Sequence, residues 1–177
     1  MLPDFKADHF ALFGLPARFE LDAAALDMAY RQLQAQVHPD RFAHLPEADK
    51  RASLQWSTRV NEAYQVLKSP LKRAAYLLQL QGIDALAPEN TQLPAAFLMQ
   101  QIEWREALAD ARRQADDKAL QRIEAELLAM ARQLQAGLMD DLDVRQDFVL
   151  AAQRVRELKF IDKIRDELDE AFVAMDR

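Results

Sequence analysis

The chain has no cysteine, and that removes several kinds of chemistry at once. No disulfide can form, no thiolate can bind zinc, and no iron–sulfur cluster can be held on cysteine ligands of its own. Glycine is nearly as scarce, three in 177 residues, and no glycine-rich phosphate loop is present. The histidines His9, His38 and His44 come without an HExxH pattern or a carboxylate pair at ligand spacing. A nucleophile elbow is also missing. The expectation is therefore no catalytic residue, no metal and no cofactor. No apolar run approaches the length of a membrane span. The opening "MLPDFKADHF" has neither the basic nor the apolar region of a signal peptide, so a cytoplasmic protein is expected. A net charge of −6 argues against nucleic acid or an anionic membrane as partner, because both require clustered Lys and Arg.

What is present points one way. Half the residues are hydrophobic, enough for a real core. Ala, Leu, Gln, Arg, Asp and Glu dominate while β-branched residues are few, which predicts an all-α fold. Charge divides unevenly. Residues 1–93 hold 10 basic and 11 acidic side chains, residues 94–177 hold 13 and 18. A nearly neutral first half and an acidic second half fit two surfaces with different partners.

Along the chain, "DHFALFGLP" reads as a single helical turn closed by Gly14 and Pro16. Asp22 caps the next helix, where Leu26, Tyr30, Leu33 and Val37 step by four, three and four along one face. Pro39 ends it, since proline cannot donate to the helix ladder and drives His38 toward an extended conformation. A second helix starts near Pro46 or Glu47 and runs to about Lys68, with Trp56, Val60, Ala63 and Leu67 in matching steps. The two should pack as an antiparallel hairpin. "SPLKRAAYLLQLQG" follows as a short helix stopped by Gly82. "GIDALAPENTQLP" is the expected boundary, giving a first domain over 1–82, a linker over 83–93 and a second domain over 94–177. The latter reads as a three-helix bundle with helices near 94–113, 117–136 and 140–175, broken by "QADDK" and "AGLMDDLD".

The tripeptide His38-Pro39-Asp40 alone would be an ordinary turn. Its context is more specific. Downstream stand Asn61-Glu62-Ala63-Tyr64 through Leu67 and then Arg73-Ala74-Ala75-Tyr76. Together these resemble the J-domain of DnaJ-type co-chaperones over most of residues 8–80. The resemblance implies a non-enzymatic protein that docks on a DnaK-type ATPase and stimulates its ATP hydrolysis through His38, Pro39 and Asp40. Pro39 would fix the loop, His38 would orient it, and Asp40 is suited to a charge-assisted pairing with an arginine of the ATPase. Many J-domains have a basic helix before the motif. Here that helix offers only Arg31, with Arg41, Lys50 and Arg51 across the loop expected to compensate. That departure points to a specialised ATPase.

The second half narrows the resemblance. No glycine-rich linker or cysteine-rich zinc region follows. Instead "DHFALFGLPARFEL", "SPLKRAAYLL", "AAFLMQQIEWREAL" and "RVRELKFIDKIRDELDE" resemble the HscB family of J-type co-chaperones over nearly the whole chain. That resemblance implies work with the specialised chaperone HscA and a bundle that binds IscU, the scaffold of iron–sulfur cluster assembly.

On the helix starting near Pro94, Phe97, Trp104, Leu108 and Ala111 share one side, suited to the bundle core. Leu98, Met99 and Ile102 fall on another side, near Glu106 and Asp110. Periodicity leaves two readings open: a broadened core face, or an exposed apolar patch rimmed by carboxylates for a partner. The resemblance favours the second, with Glu103 among the acidic neighbours and Phe160 at the margin of its own helix's stripe. A J-domain co-chaperone for a different client is the alternative.

Overall fold

The computed structural model describes residues 6–42, 44, 46–90 and 92–175. They contain helices and no strand, and they cluster into two compact units that divide between Leu77 and Leu78.

In the first unit α1 (His9–Leu12) is one turn, capped by Asp8 and ended by Gly14 at φ +66°. Helix α2 (Ala23–Val37) begins where the Asp22 carboxylate accepts from the N–H groups of Ala24 and Ala25. Helix α3 (Glu47–Lys68) returns alongside it. The cross-hairpin hydrogen bonds fix the direction. Ser53 Oγ donates to Val37 O at 2.7 Å, Tyr30 Oη to Asn61 Oδ1 at 2.9 Å and Tyr64 Oη to Asp27 Oδ1 at 2.8 Å. Position falls on α2 as it rises on α3, so the pair is antiparallel, as the matched stripes predict. Leu26, Val37, Val60 and Leu67 are at most 1 % exposed, each worth about 1.5–3 kcal/mol of burial. Trp56 is only half-buried, and the inward position one turn earlier belongs to Ser53. Helix α4 (Pro70–Leu80) starts on a Ser69 cap and ends before Gly82 at φ +79°.

In the second unit α5 (Ala95–Gln114), α6 (Asp117–Met139) and α7 (Phe148–Met175) pack as a three-helix bundle, with α6 against both α5 and α7. Phe97, Trp104, Leu108 and Ala111 point inward, as their spacing implies. Trp104 meets Phe97 edge-on at 6.3 Å and donates its indole N–H to Glu126 at 3.1 Å.

The last helix boundary differs from expectation. Gly137 does not break the chain. Helix α6 continues through it into a π-helical turn over Asp140–Arg145, and α7 starts at Phe148 rather than near 140. The physical reason is Asp141, whose side chain is fully buried. It accepts from Arg154 Nε at 2.7 Å and lies 3.1 Å from the Arg145 guanidinium. A carboxylate placed there must be paired, so the helix widens to present it. A Cβ on residue 137 would sit 2.5 Å from the Arg154 guanidinium. The glycine makes room for that arginine. The break falls instead at Gln146, left-handed at φ +55°, followed by the Asp147 cap on Leu150 N–H.

Candidate functional site

Two sets of residues were singled out by the sequence, one in each unit. The first is the turn after α2. His38 has φ −59° and ψ 128°, the extended shape imposed by the following proline. Residues Pro39–Phe42 form one 3₁₀ turn, with Arg41 N–H donating to His38 O at 3.0 Å. Pro39 is described through its backbone; its side chain, and Ala43 and Leu45 beyond, lie outside the described residues. The base of the turn is anchored by the buried Ser53 hydroxyl on Val37 O.

Within the turn, His38 Nδ1 accepts from Asp40 N–H at 3.3 Å. The imidazole thus caps the turn that carries the carboxylate. The same nitrogen lies 3.5 Å from Asp40 Oδ2. The Asp40 side chain is 90 % exposed. A carboxylate held on a short turn yet open to solvent is free to meet a cation arriving from outside.

The cations around it are less available than the sequence suggests. Arg41 donates to Ala35 O at 2.8 Å, covering a carbonyl at the end of α2. Arg31 Nε donates to Asp27 O, Arg51 Nε donates to Glu47 O, and Lys50 pairs with Glu47 at 2.9 Å. Each is tied to its own helix or, for Arg41, to the end of the preceding one.

The downstream signatures are braces. Asn61 accepts from Tyr30 and from Gln34, and the Tyr30 and Tyr64 rings stack 4.0 Å apart. Arg73 donates to Leu67 O at 2.6 Å and covers the Phe19 ring. Tyr76 Oη accepts from His9 N–H, and its ring stacks on the His9 imidazole at 4.2 Å. Burial, then the nearby Arg59 cation, lower the His9 pKa below its usual 6.5, with Asp8 and Glu62 opposing. Sequence reasoning missed Asp27 and Ser53 as braces. Ser53 was findable, because it is a polar residue at an apolar stripe position. Asp27 carried no such signal, since its partner depends on hairpin register.

The second set lies on α5. Leu98, Met99 and Ile102 are 45 %, 60 % and 52 % exposed. All three side chains therefore lie on the surface of α5 and not in the bundle core. Glu103, Glu106 and Asp110 are exposed as well, the first and last engaging Gln100 and Arg113. From Ile102, helical spacing at 100° per residue carries these carboxylates to one side of the patch and Arg105 to the other. Arg105 lies 5.7 Å over the Phe160 ring of α7 and 3.8 Å from Glu167. Phe160 is half-buried and so reaches the edge of the face, where Arg105 covers it.

No group of His, Asp or Glu among the described residues could hold a metal, and none of the helices described is long and apolar enough to cross a membrane. The arrangement offers contact surfaces: a mounted carboxylate on one unit and an apolar face with charged margins on the other.

Known proteins join the same two parts. The DnaJ domain family matches residues 8–76, and the family described as HSCB C-terminal oligomerisation domain matches residues 93–169. The chain is 52 % identical over 172 residues to the co-chaperone protein HscB homolog of Chromobacterium violaceum, covering 97 % of each. To the homolog of Aromatoleum aromaticum it is 50 % identical over 173 residues, covering 98 % of each. Chaperone HscB from Vibrio cholerae superimposes with a TM-score of 0.84 at 39 % identity, over 96 % of this chain and 99 % of that one. Human co-chaperone protein HscB gives 0.86 at 30 % identity, over 96 % and 84 %. With a J-domain hairpin, an HscB-type bundle and full-length identity near one half, this chain belongs to the HscB family of J-domain co-chaperones.

Proposed function

We propose that the protein couples a DnaK-type chaperone, HscA, to the iron–sulfur scaffold protein IscU. In this reading residues 1–82 act as the J-domain, 83–93 as the linker and 94–177 as the scaffold-binding bundle. His38, Pro39, Asp40, Arg31 and Arg41 meet the ATPase. Leu98, Met99, Ile102, Glu103, Glu106, Asp110 and Phe160 meet the scaffold. The place of work is the cytoplasm.

The observation that carries the reading is Asp40: a carboxylate 90 % exposed on a turn braced from both sides. An arginine on the ATPase could approach it without moving the backbone, so little ordering is required on docking. The patch on α5 supports the second half, because aliphatic and thioether groups about half exposed and grouped on one helix form an apolar surface suited to a partner. Holding the scaffold on one unit while the other engages the ATPase raises the scaffold's local concentration at the chaperone, with no chemistry by this chain.

Single-turnover ATP hydrolysis by HscA, with and without this protein and IscU, tests the proposal. Stimulation by the unmodified chain that disappears in Asp40→Asn is the expected result. Equal stimulation by both would remove the turn from the mechanism. If residues 90–177 retain a different protein from a lysate and not IscU, the client is another one.

A further inference from the structure

The second unit holds a cavity of about 310 Å³ lined in part by Phe160, and the scaffold reading uses none of its other lining residues. One wall is α7. The other is the stretch after α4, which carries Leu86, Pro88 and Leu93 into the lining. Residues 84–90 hold their own shape. Leu86 N–H donates to the Asp84 carboxylate at 3.1 Å, Asn90 Nδ2 donates to Asp84 O at 2.7 Å, and Ala85 is 2 % exposed. Arg156 Nε donates to Gln92 O at 3.1 Å, fastening the stretch to α7. The cavity is therefore preformed.

Its charge is unlike that of the unit around it. Residues 94–177 carry 13 basic and 18 acidic side chains, yet Arg156, Lys159 and Lys163 all line the cavity and no carboxylate does. The three follow one side of α7 with Phe160 between them. Lys159 and Lys163 are exposed, and neither has a carboxylate within ion-pair distance among the described residues. Surface lysines are usually just solvated. Three cations gathered at the mouth of an apolar cavity, in an acidic unit, form a field that favours an anionic visitor. Phe160 also links the cavity wall to α5, since the same ring lies beneath Arg105.

The geometry points to this cavity as a second docking point for the scaffold, taking a segment with a bulky apolar side chain flanked by carboxylates. The inference rests on the scaffold reading above and adds orientation to it. Glu103, Glu106 and Asp110 border one side of the α5 patch, whereas Arg105, Arg156, Lys159 and Lys163 surround Phe160. A client carrying basic groups for the first and acidic groups for the second can dock one way round only, because the reversed pose would oppose like charges.

The test is calorimetric titration of purified IscU at low and high salt into four versions of the full chain: unmodified, Lys159→Gln with Lys163→Gln, Lys159→Arg with Lys163→Arg, and Leu98→Ala with Ile102→Ala. The Gln pair should bind about tenfold more weakly and lose part of the salt dependence. The Arg pair should bind like the unmodified chain. The Leu98/Ile102 pair should bind more weakly at unchanged salt dependence. Unchanged affinity and salt dependence in the Gln pair, alongside weakening in the Leu98/Ile102 pair, would overturn the cavity and leave the patch standing. If IscU fails to bind the unmodified chain, the scaffold reading falls and the cavity's role with it.

Discussion

At the J-domain turn a single carboxylate rides on a backbone held by at least three hydrogen bonds: Asp40 N–H to His38 Nδ1, Arg41 N–H to His38 O and Ser53 Oγ to Val37 O. On α5 three apolar side chains project from a regular helix with their positions set by helical pitch alone. Under the proposed function, the contrast follows from what each would recognise. An ion pair depends steeply on position and direction, and its gain is lost when the charge must be reoriented on binding. Apolar contact is non-directional and scales with area, so Leu98, Met99 and Ile102 need only be exposed together. One unit therefore invests its local structure in geometry, the other in surface. The difference predicts how each responds to mutation.

The largest effect is expected at the turn. Asp40→Asn keeps shape and removes charge, so ATPase stimulation should fall to the unstimulated rate while scaffold affinity and melting temperature stay unchanged. A variant that merely halves stimulation would show that the turn is less dependent on charge than its bracing implies. Next is Arg154→Met, which strips the buried Asp141 carboxylate of its 2.7 Å partner and leaves only Arg145. Breaking a buried pair of this kind costs about 3 kcal/mol, to be read by denaturant unfolding of the second unit, with ATPase stimulation by the J-domain retained. Leu98→Ala with Ile102→Ala ranks third. Scaffold affinity should drop by about 2 kcal/mol with little change in unfolding free energy, because both side chains are about half exposed. A stability loss without an affinity loss would put the pair in the core's service.

The smallest effect is a pH dependence confined to the first unit. Burial holds the His9 pKa below its usual 6.5, so the folded state binds this proton less readily than the unfolded one. Its contribution is complete above about 6.5 and is lost as pH falls from there through the lowered folded value. Unfolding of the J-domain followed against pH should show this decline, and His9→Phe should flatten it. The second unit, which contains no histidine, should not share it.

The elements were legible in the sequence where one periodic stripe faced one partner. In α2 and α3 the four-three-four spacing gave the hairpin, and the proline after His38 gave its exit. The J motif and its downstream signatures were legible for the same reason: they are local. Periodicity alone failed on α5, since two apolar sides on one helix have the same pattern whether the second is buried or exposed. It failed at Gly137 because a glycine in "AGLMDDLD" reads as a stop, while its actual role is to leave space for a guanidinium seventeen residues later. The stretch over 83–93 read as a connector by composition. Its part in a cavity wall depends on Arg156 reaching Gln92, a pairing across 64 positions that no local pattern encodes.

The Asp141–Arg154 pair has one more effect. It pins the π-helical turn after α6 to the second turn of α7, so sliding α7 along its axis would pull the Arg154 guanidinium away from a fully buried carboxylate. Helix register here is thus locked like a key in its wards, and with it the spot on the molecular surface where Phe160 comes out.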